Sequence, residues 1–179
     1  MIILIEGCDK TGKTTLKNDI AKLFPGFKHF KNPIKPPERD PVEIGRISGI
    51  YQGAYHLSKS IGPVVFDRGH ITEVVYGHRR GYDALNYTRW YDLEKELKGH
   101  AVVIYMSAPP AVVQKRFEKD KEDFIDPGEI VGILNRYTEY FEECRLPVLK
   151  LSSLDSQDEN MTKVINFLAK ETNKWTLQK

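Results

Sequence analysis

The sequence predicts a three-layer α/β domain, with helices covering both faces of a parallel sheet. Short apolar runs alternate with longer amphipathic stretches along the whole chain. Strands separated by helices in this way pair in parallel through right-handed crossovers. The chemistry-bearing motifs fall directly after apolar runs, at the carboxyl ends of strands where such sheets bind their ligands.

Taken in order, Ile2–Ile5 is a compact apolar run that meets glycine at once and then a helical pattern from Lys13 to Phe24, stopped by Pro25-Gly26. Phe27–Phe30 is the second predicted strand. A helix follows from Pro41 to about Ser60, opened by Asp40-Pro41-Val42-Glu43, which supplies a capping carboxylate, proline at the first helical position and Glu three residues after the cap. Val64–Phe66 and Ala101–Met106 are the third and fourth strands. Asp126-Pro127-Gly128-Glu129 repeats the helix-opening chemistry, and Ile130, Leu134, Tyr137 and Phe141 then share one helix face. Val148–Leu151 is the fifth strand, and a last helix places Met161, Val164, Ile165 and Leu168 on one stripe for docking on the sheet.

Length and composition narrow the function classes. The 179 residues suffice for one domain with a real core, and no repeat, low-complexity tract or composition shift marks a second one. With 27 basic against 25 acidic residues, a net charge of +2 argues against a protein built around nucleic-acid binding. The longest apolar runs are too short to cross a bilayer, and no basic segment precedes the first, so neither an anchor nor a signal peptide is expected. Cys8 and Cys144 lack CxxC spacing and the five histidines form no metal-binding pair. A cytoplasmic protein with no metal framework of its own is expected.

Gly7-Cys8-Asp9-Lys10-Thr11-Gly12-Lys13-Thr14 fits the phosphate-loop pattern G-x-x-x-x-G-K-[ST] and sits between a strand and a helix. Glycines let successive backbone N–H groups turn inward around polyphosphate oxygens, and the helix adds its positive end. Lys13 then reaches the β- and γ-phosphates, and the Thr14 hydroxyl can ligate Mg²⁺. Cys8 reads as a small loop filler, since nothing nearby would act as its base. No Asn-Lys-x-Asp guanine motif follows, which argues against a switch GTPase. The third strand ends in Asp67-Arg68. A carboxylate there can hold Mg²⁺ through water, and the guanidinium can grip a phosphate bidentately.

Together these residues resemble the thymidylate kinase family of P-loop nucleoside and nucleotide kinases. Glu6 to Thr15 (Glu6-Gly7-Cys8-Asp9-Lys10-Thr11-Gly12-Lys13-Thr14-Thr15) fits the family's loop throughout, and Asp67-Arg68 resembles its Asp-Arg motif, with Thr72 and Tyr76 at related positions. The similarity runs from Ile2 to about Leu151. It implies a five-stranded sheet of order 2-3-1-4-5, ATP and Mg²⁺ as donor and cofactor, an acceptor phosphate gripped by Arg68, and a homodimer formed through helices. The run Gln114–Lys121 resembles the start of the family's lid, about 114–127, with Arg116 or the loop residue Lys10 bringing positive charge to the phosphoryl group in transit.

The acceptor is read from the segment after the second strand. Lys31 and Lys35 stand where the family carries an Arg near a proline, and Asn32 stands where Glu is usual. A nucleoside's 5′-hydroxyl needs a carboxylate base, which Asn32 cannot be. A monophosphate offers an oxygen already ionised, so Asn32 favours a deoxynucleoside monophosphate, with dTMP implied by the resemblance. Asp9 stays open as a substitute base, which keeps a deoxynucleoside kinase in view. A kinase acting on a modified base or an end of a polynucleotide, and a catalytically silent nucleotide-binding switch, stay open as well. Tyr51 and Gln52 are the candidates for stacking on and pairing with the base, with Tyr76 and Tyr137 as further aromatic candidates.

Overall fold

The computed structural model describes residues 1–31, 41–77, 87–120 and 126–176. Its five strands are β1 (Ile2–Glu6), β2 (Lys28–Lys31), β3 (Val64–Asp67), β4 (Ala101–Ser107) and β5 (Val148–Ser152), all parallel and ordered β2-β3-β1-β4-β5. The predicted order therefore holds, with strand ends shifted by one residue. The helices are α1 (Lys13–Leu23), α2 (Pro41–Ile61), α3 (His70–Gly77), α4 (Tyr87–Leu97), α5 (Pro110–Asp120), α6 (Ile130–Glu143) and α7 (Gln157–Thr176).

Side-chain alternation along the strands splits the core in two. Ile3, Ile5, Val65, Val102 and Ile104 face Leu16 and Ile20 of α1 and Val164 and Leu168 of α7. Ile2, Leu4, Val64, Phe66, Val103 and Tyr105 face the larger layer built by α2 to α6. Because both faces are covered, β1, β3 and nearly all of β4 are buried at every position. That is why they read as continuous apolar runs rather than alternating ones.

Two expectations need correction. Ile165 is 42% exposed, and the docking stripe of α7 keeps Met161, Val164 and Leu168 and continues to the buried Glu171 instead. Asp126 does not cap α6: its carboxylate takes the Gly128 N–H at 2.9 Å and its carbonyl takes the Glu129 N–H at 2.9 Å, which closes a 3₁₀ turn over Pro127–Glu129, after which α6 begins. Helices α3 and α4, for which the sequence carried no expectation, fill the stretch between β3 and β4.

The helix starts differ in a way that matters for function. Helix α7 is closed by a capping box: Ser156 Oγ accepts the Glu159 N–H, and Glu159 Oε2 accepts the Ser156 N–H. Helix α1 has Gly12 at its N-cap, no side-chain cap and no acidic residue in its first turn. Without a side-chain cap or a first-turn acid, this positive helix end is of the kind that suits an anion.

Candidate functional site

The phosphate loop turns between β1 and α1 on backbone that few residues tolerate. Gly7 sits at φ +144°, and a Cβ there would lie 2.3 Å from the Met106 carbonyl of β4, so only glycine fits. Lys10 (φ +61°) and Arg68 (φ +70°) are non-glycine residues in the left-handed region, a strain that surrounding contacts must hold in place. Both are residues expected to meet phosphate.

Inside the loop, Thr11 Oγ1 and Lys13 Nζ both donate to the Cys8 carbonyl, at 2.8 and 2.5 Å. Lys13 is buried and its ammonium is lowered to about 8, first by burial and then by the nearby Arg68. Thr14 and Thr15 are exposed at the start of α1. Cys8 is fully buried, and burial pushes its thiol up, which agrees with a filler and not a nucleophile.

Arg68 follows β3 and crosses to the loop, where its guanidinium pairs with Asp9 Oδ1. The Tyr76 ring lies 5.4 Å from that guanidinium, and the Tyr76 hydroxyl reaches Asp9 Oδ2 at 3.5 Å. Asp67, one residue earlier, receives Lys17 Nζ at 2.9 Å. From the far side, α5 clasps the loop. Arg116 donates to the Lys10 carbonyl at 2.8 Å and to Ser153 Oγ at 3.1 Å, and the Lys10 ammonium lies 6.0 Å from the Phe117 ring centre. Lys10, Lys13, Arg68 and Arg116 thus converge on one loop.

A buried carboxylate that the sequence shows only as part of a motif organises this corner. Glu6, at the end of β1, accepts the Gly69 N–H at 2.6 Å and the Thr72 hydroxyl at 2.6 Å. Tyr137 bridges Thr72 and the Gly7 carbonyl at 3.1 and 3.2 Å. Burial raises the Glu6 carboxyl above its usual range, against the pull of these donors. A Cβ on Gly69 would stand 3.1 Å from Glu6 Oε1 and 2.7 Å from the Tyr55 hydroxyl, so the approach requires glycine. Glu6→Ala orphans two buried donors and is expected to cost about 2–4 kcal/mol, read as a lower urea midpoint at unchanged m-value.

The base-reading candidates separate. Tyr51 is buried, edge-on to Trp90, with its hydroxyl 3.4 Å from the buried Glu73, while Gln52 is exposed. Adjacent helical positions face different directions, so the expected Tyr51–Gln52 pair does not form one surface. Tyr137 is fully buried beneath the loop and serves Glu6, Thr72 and Gly7; the Tyr76 ring lies against the Arg68 guanidinium. Lys31 ends β2 in register with Asp67. Lys35, Asn32 and lid residues 121–125 lie outside the described residues.

The donor set fits a hard divalent ion held mainly by a nucleotide. Among the described residues no group of three or more His, Cys, Asp or Glu side chains could hold a metal. Thr14 and Asp67 offer oxygen only, the chemistry Mg²⁺ takes from one or two protein groups plus phosphates and water. No helix among the described residues is long and apolar enough to cross a membrane.

No family model matches the sequence. YorR of Bacillus subtilis, an uncharacterized SPbeta prophage-derived protein, is 27% identical over 170 residues, covering 93% of this chain and 98% of that protein. The crystal structure of YorR in complex with phosphorylated GDP superposes with a TM-score of 0.79 at 20% identity, over 97% of this chain and 98% of that one. Deoxyadenosine kinase from M. mycoides with bound dCTP (TM-score 0.63, 19% identity, 95% and 100% covered) and a gluconokinase from Sinorhizobium meliloti (0.62, 16%, 98% and 95%) share the architecture. The fold is that of the P-loop kinases.

Proposed function

We propose that this protein is an ATP-dependent nucleoside monophosphate kinase, moving the γ-phosphoryl group of ATP to a deoxynucleoside monophosphate, with dTMP the first acceptor to test. One observation carries the reading: the β3 corner delivers the Arg68 guanidinium onto Asp9 of the phosphate loop, so an acceptor-side cation and the donor cradle share one cleft. A guanidinium fork suits a phosphate's paired oxygens. An acceptor phosphate would compete with Asp9 for it.

In this scheme the loop amides and Lys13 hold the donor's β- and γ-phosphates, Thr14 and Asp67 would hold Mg²⁺ directly or through water, and Mg²⁺ when bound neutralises phosphate charge. Arg68 orients the acceptor phosphate for in-line attack. Arg116 and Lys10 spread positive charge over the group in transit. No residue needs to remove a proton, because the attacking phosphate oxygen is already ionised.

A deoxynucleoside kinase is the second reading. It is favoured by the Asp9 carboxylate, 38% exposed and flanked by Arg68 and Tyr76, which is where a base for a 5′-hydroxyl would stand, and by the likeness to a deoxyadenosine kinase. Turnover of ATP against a panel of deoxynucleosides, their monophosphates and 5′-hydroxyl oligonucleotides decides between them. Diphosphate product from monophosphates is expected. Monophosphate product from nucleosides alone would transfer the assignment to the second reading, and no product from any acceptor would leave a nucleotide-binding switch.

A further inference from the structure

The neighbouring residues Asp67 and Arg68 each meet an opposite charge on the other side of the cleft. Arg68 meets Asp9 of the loop, and Asp67 meets Lys17 of α1. The first pair joins residues already expected at the site. The second brings in a cation to which neither the motif nor the resemblance gives a role. Lys17 lies one helical turn beyond Lys13, on the same face of α1. Lys13 folds back onto the loop, whereas Lys17 extends to the end of β3, where its ammonium sits 2.9 Å from Asp67 Oδ2. Neither partner is freely solvated: the two side chains are 23% and 12% exposed.

We propose that Lys17 is an internal counter-ion which competes with Mg²⁺ for Asp67 and so sets how strongly nucleotide binding depends on the metal. The inference rests on the donor-site reading above and goes beyond it. A carboxylate next to the phosphate loop can draw in a hydrated divalent ion, but here the ion must share a carboxylate whose Oδ2 already takes the ammonium. At such separations, in a partly buried site, the fixed positive charge also repels the incoming ion. The same charge attracts phosphates when no metal is present. Lys17 therefore strengthens binding of the metal-free nucleotide and weakens the gain that Mg²⁺ adds. Both effects narrow the difference between the two.

The test is calorimetric titration of ADP into the full chain, in excess Mg²⁺ and separately in EDTA, which gives the ratio of the two dissociation constants without any turnover. The nucleotide's own affinity for Mg²⁺ is common to all variants and cancels. Lys17→Met is expected to enlarge the ratio by about fivefold or more, a typical size for coupling between two ligands, by weakening metal-free binding and strengthening metal-bound binding. Lys17→Gln should move the ratio in the same direction, which guards against a folding defect peculiar to one substitution. Lys163→Met, which removes a cation paired with Asp155 at the surface, controls for net charge and should leave the ratio unchanged. If wild type responds to Mg²⁺ and both Lys17 variants keep its ratio, the Lys17 assignment is overturned while the kinase reading stands. If wild type binds ADP equally with and without Mg²⁺, the metal-assisted donor site falls, and this inference with it.

Discussion

Lys13→Met is expected to lower kcat/KM for ATP by about a thousandfold or more, as loss of a preorganised charge at a transferring phosphoryl group does, with the far-ultraviolet circular dichroism unchanged. Methionine keeps the length of the stem and its packing, and removes the one buried ammonium that bonds the Cys8 carbonyl inside the loop. The wild-type pH profile carries the same signature. Lys13 is lowered to about 8 in the folded protein, against an ordinary value of 10.5, so it gives up its proton as pH rises through about 8. Because kcat/KM reports groups of the free enzyme, kcat/KM for ATP should bend downward above about pH 8, and Lys13→Met should show no such break.

Stability moves in the opposite sense. Between about 8 and 10.5 the unfolded chain still holds the lysine proton and the folded chain does not, so this group's contribution to stability rises with pH across that window. Below it, the protein bears the cost of a buried charge. Urea titrations of wild type and Lys13→Met should therefore differ most near neutrality and converge as the pH approaches 10.5. A pH-independent difference would mean that the lysine is not titrating as its burial requires.

Arg68→Ala is expected to reduce kcat/KM for the monophosphate acceptor by about a hundredfold or more, while the dissociation constant of ATP changes by no more than about twofold. The asymmetry follows from the geometry and the proposed scheme: Arg68 enters from β3 and pairs with Asp9 of the loop, whereas Lys13 and the loop amides would hold the donor. Arg68→Lys should recover only a part, because a point charge cannot span two phosphate oxygens. A loss confined to ATP affinity would place Arg68 on the donor and withdraw the acceptor assignment.

Much of the candidate site was legible because its signals are local. The loop octet is contiguous, Asp67-Arg68 is a dipeptide, and Ile130, Leu134, Tyr137 and Phe141 repeat at helical spacing and are all buried. Helix α3 shows where local signals fail. All eight of its residues are buried, including His70, Thr72 and Glu73, so it has no polar stripe from which a period could be read. Helix α7 erred the other way: its apolar residues outnumber those the sheet can cover, and Ile165 was left outside.

Sequence alone determined the order of the five strands, the glycines that let the loop turn, and the cations placed around it, since backbone freedom and apolar periodicity are properties of neighbours in the chain. Tertiary structure decided which charges meet: Glu6 with Gly69 and Thr72, Arg68 with Asp9, Asp67 with Lys17, Arg116 with the Lys10 carbonyl. Those partners stand up to 106 positions apart. What selects them is the desolvation of each charge as the strand ends close, an energy that exists only once the sheet has formed.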